Sequence, residues 1–166
     1  MAKKNNQRKA ELTARSKSES LIFQTMWGAR QKMGEVNDDV EQRINEEIMV
    51  LNNMGLAEDV LTLKNALDSL RRDLNIVSEP SKGILAGSVV AYCLDLEPTN
   101  PLETGSLLNP SDFLPPLQLT VSFDNEVRNQ AVDWLKLHEF TVTTLLGQPM
   151  LKLPNIRVSI RRVLKP

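Results

Sequence analysis

The chain has 166 residues, 41% hydrophobic and 25% charged, with 20 Lys and Arg against 21 Asp and Glu, for a formal net charge of −1. A single cysteine, Cys93, and a single histidine, His138, exclude a disulfide framework and a CxxC zinc site. No apolar run approaches the roughly 20 residues that cross a bilayer, and the basic start has no apolar stretch behind it, so an intracellular, cytoplasmic protein with no membrane contact is expected.

The small net charge hides an uneven distribution. Residues 1–20 carry +4, residues 150–166 carry +5, and the 129 residues between them carry −10. Phosphate neutralisation dominates nucleic-acid affinity, so any DNA contact is expected at the basic ends. Arg157, Arg161, Arg162 and Lys165 are the candidates at the second end, for DNA or an acidic partner, with a solvated face as the alternative. The first end is polar, basic and aperiodic over 1–18, which predicts a disordered arm.

From residue 19 the pattern predicts one domain, with a helical part over 19–75 and an α/β part over 76–166. Ile22, Met26, Ala29 and Met33 form a helical stripe that Gly34 ends. Met26 and Trp27 are assigned to core packing, with a partner-binding stripe as the alternative. Asn37 is placed to cap a second helix, with Val40, Ile44, Ile48 and Leu51 facing inward and Gly55 closing it. A third helix is expected from about Ala57 to Leu74. Asn75-Ile76-Val77 is expected to be extended and Ser78 to Gly83 a loop. Ile84 to Leu94 has almost no polar face and predicts a buried helix. Residues 97–116 hold five of the nine prolines and predict an irregular connection.

Leu117 to Phe123 alternates apolar and polar, the pattern of a half-buried strand. Asp124 is placed to cap a following helix that carries Val127, Ala131, Trp134, Leu135 and His138. Phe140 to Leu146 predicts a second strand, turned by Gly147-Gln148-Pro149. Ile156, Ile160, Val163 and Leu164 fall at helical spacing and predict a short C-terminal helix. The fold class is therefore α+β, a helical lobe followed by a small sheet with helices. Asp124, Glu126 and Asp133 are assigned structural roles, Asp124 and Glu126 at a helix start, with a carboxylate cluster as the alternative; His138 is assigned a capping or surface role, and Cys93 that of a small buried hydrophobe.

Lys82, Gly83, Gly87 and Ser88 stand where a loop enters a helix. Glycines and a lysine there make a plausible phosphate or nucleotide cradle, although small residues also permit close helix packing. The segment Pro80-Ser81-Lys82-Gly83-Ile84-Leu85-Ala86-Gly87-Ser88-Val89-Val90-Ala91-Tyr92-Cys93-Leu94 resembles the palm start of the C-family polymerases, the bacterial DNA polymerase III α subunits, where the run is P-G-R-G-S-A-A-G-S-L-V-A-Y-C-L-G. The resemblance continues in order. Arg43 to Ile48 and Asn53 to Ala57 are similar to a helix pair of that family. Pro101-Leu102 and Leu108-Asn109-Pro110 resemble its next connection. Phe123-Asp124, Arg128 and Trp134 resemble its D-F-D-x-x-x-R segment, and looser similarity runs on to Leu164.

The resemblance implies a partial palm-like, nucleotidyltransferase-type sheet, and in that family the strand P-D-I-D-I-D-F holds two Mg²⁺ ions. The corresponding positions here are Gln118, Thr120 and Ser122. A neutral amide and two hydroxyls are poor substitutes for paired carboxylates around magnesium. Arginine and serine of the family's loop become Lys82 and Ile84. No catalytic residue, metal or cofactor is therefore expected. The implied protein is a catalytically inactive, replication-associated binding accessory whose partner is a replisome or polymerase protein, with a phage or mobile-element origin. The alternatives are one chain of a split polymerase whose carboxylates come from elsewhere, or a helical interaction domain unrelated to replication.

Overall fold

A computed structural model describes the backbone of residues 2–80 and 85–163, with side chains from Ser16 onward except that of Asp112. Three helices come first: α1 (Ala2–Met33), α2 (Asp38–Asn53) and α3 (Ala57–Leu74). The expected disordered arm is instead the first part of α1. No proline or glycine interrupts the chain before Gly28, and Ala, Lys, Gln, Arg and Glu dominate the arm, all strong helix formers. Leu21, Thr25 and Ala29 are fully buried in α1; Ala29 is in the expected stripe, and Leu21 and Thr25 take the places expected for Ile22 and Met26. Ile22, Met26 and Met33 pack against the core from its margin. Thr25 is tolerated inside because its hydroxyl donates to the Leu21 carbonyl at 2.7 Å. Trp27 was assigned to the core with Met26, but it is 58% exposed, beside Phe23 at 68%.

The second and third helices follow their expected bounds. The Asn37 side chain accepts from the Val40 amide at 2.9 Å, and Asp38, Asp39 and Glu41 occupy the first turn, where the helix dipole favours acids. Ile44, Ile48 and Leu51 are buried. Asn75 is the left-handed C-cap of α3 (φ 55°) rather than the start of an extended run, and the short strand β1 (Glu79–Pro80) follows.

The segment expected to be a helix over 84–94 folds differently. Leu85 to Gly87 form a turn, and α4 covers only Val89–Cys93. Gly87 explains the delay: a Cβ there would sit 2.4 Å from the Leu107 carbonyl oxygen, so the backbone is held against the following connection. That connection contains α5 (Pro101–Thr104) and a 3₁₀ turn (Pro110–Phe113), each begun by an asparagine cap followed by proline. Phe113, 1% exposed, pins it to the core.

The remaining elements are β2 (Leu117–Asp124), α6 (Arg128–Leu137), β3 (Thr141–Leu145), β4 (Gln148–Lys152) and β5 (Ile156–Val163). Gln148 and Pro149 belong to β4, so the turn before it is made at Leu146 and Gly147, both at positive φ. Val127 is the N-cap of α6, and Asp124 ends the strand instead of capping the helix. The basic C-terminal segment is a strand, not the expected helix. Ile156, Val158 and Ile160 are buried in alternation, and Ile156 and Ile160 fit either period.

The five strands are ordered β1-β2-β5-β4-β3, with β2 and β5 parallel and the other neighbours antiparallel. Leu117, Val121, Phe123, Leu151, Ile156, Val158 and Ile160 join Ala131, Val132 and Leu135 of α6 and the buried residues of the helical lobe in one continuous core. The Asn155 amide donates to Asp59 at 2.5 Å and its side chain to the Gly55 carbonyl at 2.9 Å, tying the β4–β5 turn to the start of α3.

Candidate functional site

The alternation along β2 divides its residues between two faces. Leu117, Val121 and Phe123 enter the core, whereas Gln118, Thr120 and Ser122 share the other side of the sheet, Gln118 exposed and the other two half-buried. In the parallel pairing, Gln118 stands opposite Arg157, Thr120 opposite Ser159 and Ser122 opposite Arg161. Lys152 of β4 stands opposite Arg157 on its other side. Register partners lie about 5 Å apart on one face, so the polar side of β2 is flanked by cations.

Magnesium needs hard anionic oxygen, and this donor set does not supply it. An amide, two hydroxyls and adjoining cationic side chains do not fit the pair of ions that the resemblance implies. Among the described residues, no three His, Cys, Asp or Glu side chains converge to hold a metal ion.

The second sequence-derived site lies at the start of α4. Lys82 and Gly83 are outside the described residues. Ser88 caps the helix by accepting from the Ala91 amide at 3.0 Å and donates its hydroxyl to Glu47 at 2.7 Å. Glu47 also accepts from the amides of Val89 at 3.0 Å and Val90 at 3.4 Å. The amides of this turn are therefore already turned onto a carboxylate of the chain itself, and Gly87 serves close backbone approach. Arg43, one turn before Glu47, donates to the carbonyls of Gly87 at 3.0 Å and Ser106 at 2.8 Å and lies 3.6 Å from the Glu47 carboxylate. Burial pushes the Glu47 carboxyl above its ordinary value; the bonds from Ser88, Val89 and Val90 and the charge of Arg43 pull it partly back.

Sequence reasoning had placed Arg43 and Glu47 only within a helix pair. Their spacing of four, two turns of sequence away from any glycine, carried no signal that they would reach the loop 40 residues on. Of the basic candidates, Arg161 and Arg162 are exposed, and Lys165 lies outside the described residues. Arg157 is half-buried and its guanidinium donates to the Leu153 carbonyl. His138 is the exposed C-cap of α6, its ring stacked on Trp134 at 3.8 Å and its Nδ1 bonded to the Trp134 carbonyl at 2.8 Å. Cys93 is buried, and its thiol is pushed up to about 11 by burial, against the opposing pull of Lys32. No helix among the described residues is long and apolar enough to cross a membrane.

Residues 19–146 match the family described as the bacterial DNA polymerase III alpha NTPase domain, and the chain belongs to that family. It is 30% identical over 114 residues to the DNA polymerase III subunit alpha of Halalkalibacterium halodurans and 27% identical over 117 residues to that of Aquifex aeolicus. Each alignment covers 66% of this chain and 10% of the relative, so the chain spans about a tenth of the length of the curated relatives it matches.

Proposed function

We propose that the protein is a catalytically inactive polymerase III α-like palm segment that serves DNA replication by binding, as an accessory to a polymerase or another replisome protein. The observation that carries this is the β2 face: Gln118, Thr120 and Ser122 stand where the resemblance expects metal-binding aspartates, and Arg157 and Arg161 lie beside them in register. Phosphoryl transfer by two metal ions requires anionic oxygens that hold both ions. A face with neutral donors, two arginines and the single carboxylate of Asp124 at the strand end does not supply them. Arg161 and Arg162, exposed at the end of β5, are the side chains proposed to meet DNA or an acidic protein surface.

The test is a tagged pull-down from the native cell, with and without nuclease, paired with primer extension by the purified chain in Mg²⁺. Capture of a replicative polymerase or clamp after nuclease treatment, with no incorporation by the chain alone, is the expected result. Incorporation that depends on this chain would establish the split-polymerase alternative. Absence of any replication protein from both samples would overturn the accessory role.

A further inference from the structure

At the far end of the sheet from the β4–β5 turn, three features meet. The parallel strands β2 and β5 both end there, and the turn at 125–127 leads directly into α6, so strand C-termini and a helix N-terminus converge. Val127 makes no side-chain cap, and the first turn of this ten-residue helix has no acid.

Two arginines occupy the same spot. Arg128 is only 9% exposed, and its guanidinium donates to the Asn129 side-chain oxygen at 3.1 Å and to the Ile160 carbonyl at 3.3 Å. Arg162 donates to the same Asn129 oxygen at 3.2 Å. Two like charges are thus gathered on one neutral amide, and neither makes an ion pair among the described residues. Burial and the neighbouring Arg162 both hold the Arg128 pKa below its ordinary value. Such an arrangement costs free energy in the empty protein, and an anion set between the two guanidiniums would reverse the sign of that cost. A tetrahedral oxyanion suits it best, because guanidinium forks match its oxygens in pairs and free helix amides add further donors.

We propose that Arg128, Arg162 and the N-terminus of α6 form a binding site for a phosphate group. The site lies at the strand ends, apart from the Gln118 face and from the Glu47-occupied turn, and shares Arg162 with the surface proposed to meet a partner. The phosphate is either free or the monoester of a nucleotide; the chemistry at the guanidiniums is the same.

The experiment is thermal melting and isothermal titration of the full chain with inorganic phosphate, and separately with a nucleoside 5′-monophosphate, against sodium chloride of matched ionic strength. Phosphate is expected to raise the melting midpoint where chloride does not. Arg162→Gln, at an exposed position, is expected to weaken phosphate binding by about tenfold, the worth of one charge-assisted contact. The same variant is expected to melt higher than the parent in low salt without phosphate, because the repulsion is gone; a merely structural arginine would give the opposite. Arg128→Lys keeps the buried charge without the fork and should weaken binding while folding. Tighter binding of the monophosphate than of phosphate assigns the nucleotide, and equal binding assigns the free ion. No phosphate-specific shift in the parent, or unchanged affinity in Arg162→Gln, overturns the site.

Discussion

The Ser88 hydroxyl donates to the Glu47 carboxylate at 2.7 Å, joining the middle of α2 to the cap of α4 across 41 residues. Glu47 thereby does for the glycine-bounded turn what a bound anion does at other helix starts, accepting from two successive amides. A residue 3% exposed that satisfies three donors is hard to replace. Glu47→Ala leaves the Ser88 hydroxyl and both amides unanswered and Arg43 without its acid, and is expected to cost about 2–4 kcal/mol in urea unfolding.

The same carboxylate sets a pH dependence. Burial holds Glu47 above its ordinary value of 4.5, and Asp59 above 3.8, so the folded chain retains protons that the unfolded chain releases. Their contribution to stability is full below the unfolded values and is lost as pH rises through the raised folded ones. Glu47→Gln is neutral throughout. Its melting midpoint relative to the parent is therefore expected to move in the variant's favour as pH rises above the ordinary value of 4.5. A difference that stays flat over that rise would show that Glu47 titrates normally.

Gly28 marks the crossing of α1 over α4. A Cβ there would stand 2.0 Å from the Cys93 carbonyl oxygen, a backbone atom that cannot step aside. Gly28→Ala is expected to lower stability by about 2–3 kcal/mol despite alanine's better helix propensity, measured as a shift in the urea midpoint with the slope unchanged.

Restoring acids tests the electrostatics of the β2 face. The triple variant Gln118→Asp, Thr120→Asp, Ser122→Asp is expected to bind Mg²⁺ at least about tenfold more tightly than the parent by titration calorimetry, since hard carboxylate oxygens replace neutral donors. Arg157 and Arg161 remain opposite two of the three positions, so affinity should rise further on adding Arg161→Gln. An unchanged Mg²⁺ isotherm in the triple variant would mean that the three positions do not converge.

Cys93 offers a simple probe of the core. A thiol 2% exposed and pushed up to about 11 holds little thiolate at neutral pH. Labelling by a disulfide reagent near pH 8 is expected to be more than about a hundredfold slower than in urea, where the free thiol pKa near 8.5 returns.

The helices α2 and α3 were legible because their signals are local. Asn37, Gly55 and the inward faces of α2 and α3 depend on residues within a turn or two of each other. The β2 alternation was equally plain. What failed needed a distant partner. Ile156 and Ile160 satisfy a helix and a strand alike, and only pairing with β2, almost 40 residues earlier, settles them as strand. The 84–94 segment looked helical until Leu107 came close to Gly87. In α1 Thr25, invisible to an apolar pattern, takes the buried place expected for Met26, and Trp27 is left outside. The site residues followed the same rule. Gln118, Thr120 and Ser122 were named from the resemblance along one strand, whereas the roles of Glu47 and Arg128 and the pairing of Arg162 with Arg128 come only from neighbours that the chain order conceals.

The position of β5 between β2 and β4 has a consequence for synthesis. A ribosome delivers β2, α6 and the β3–β4 hairpin before the strand that must sit at the centre of the sheet. Until residues 156–163 emerge, β2 has only the two-residue β1 beside it, and the hairpin has nothing on its β4 side. Nascent chains therefore carry the open edge of β2 for the time taken to make about 40 further residues, a few seconds at ordinary elongation rates, and the open edge of the hairpin for about 10. Those edges are templates for pairing with another chain. A product cut short before Ile156 lacks the strand that joins β2 to the β3–β4 hairpin and leaves both edges open for good.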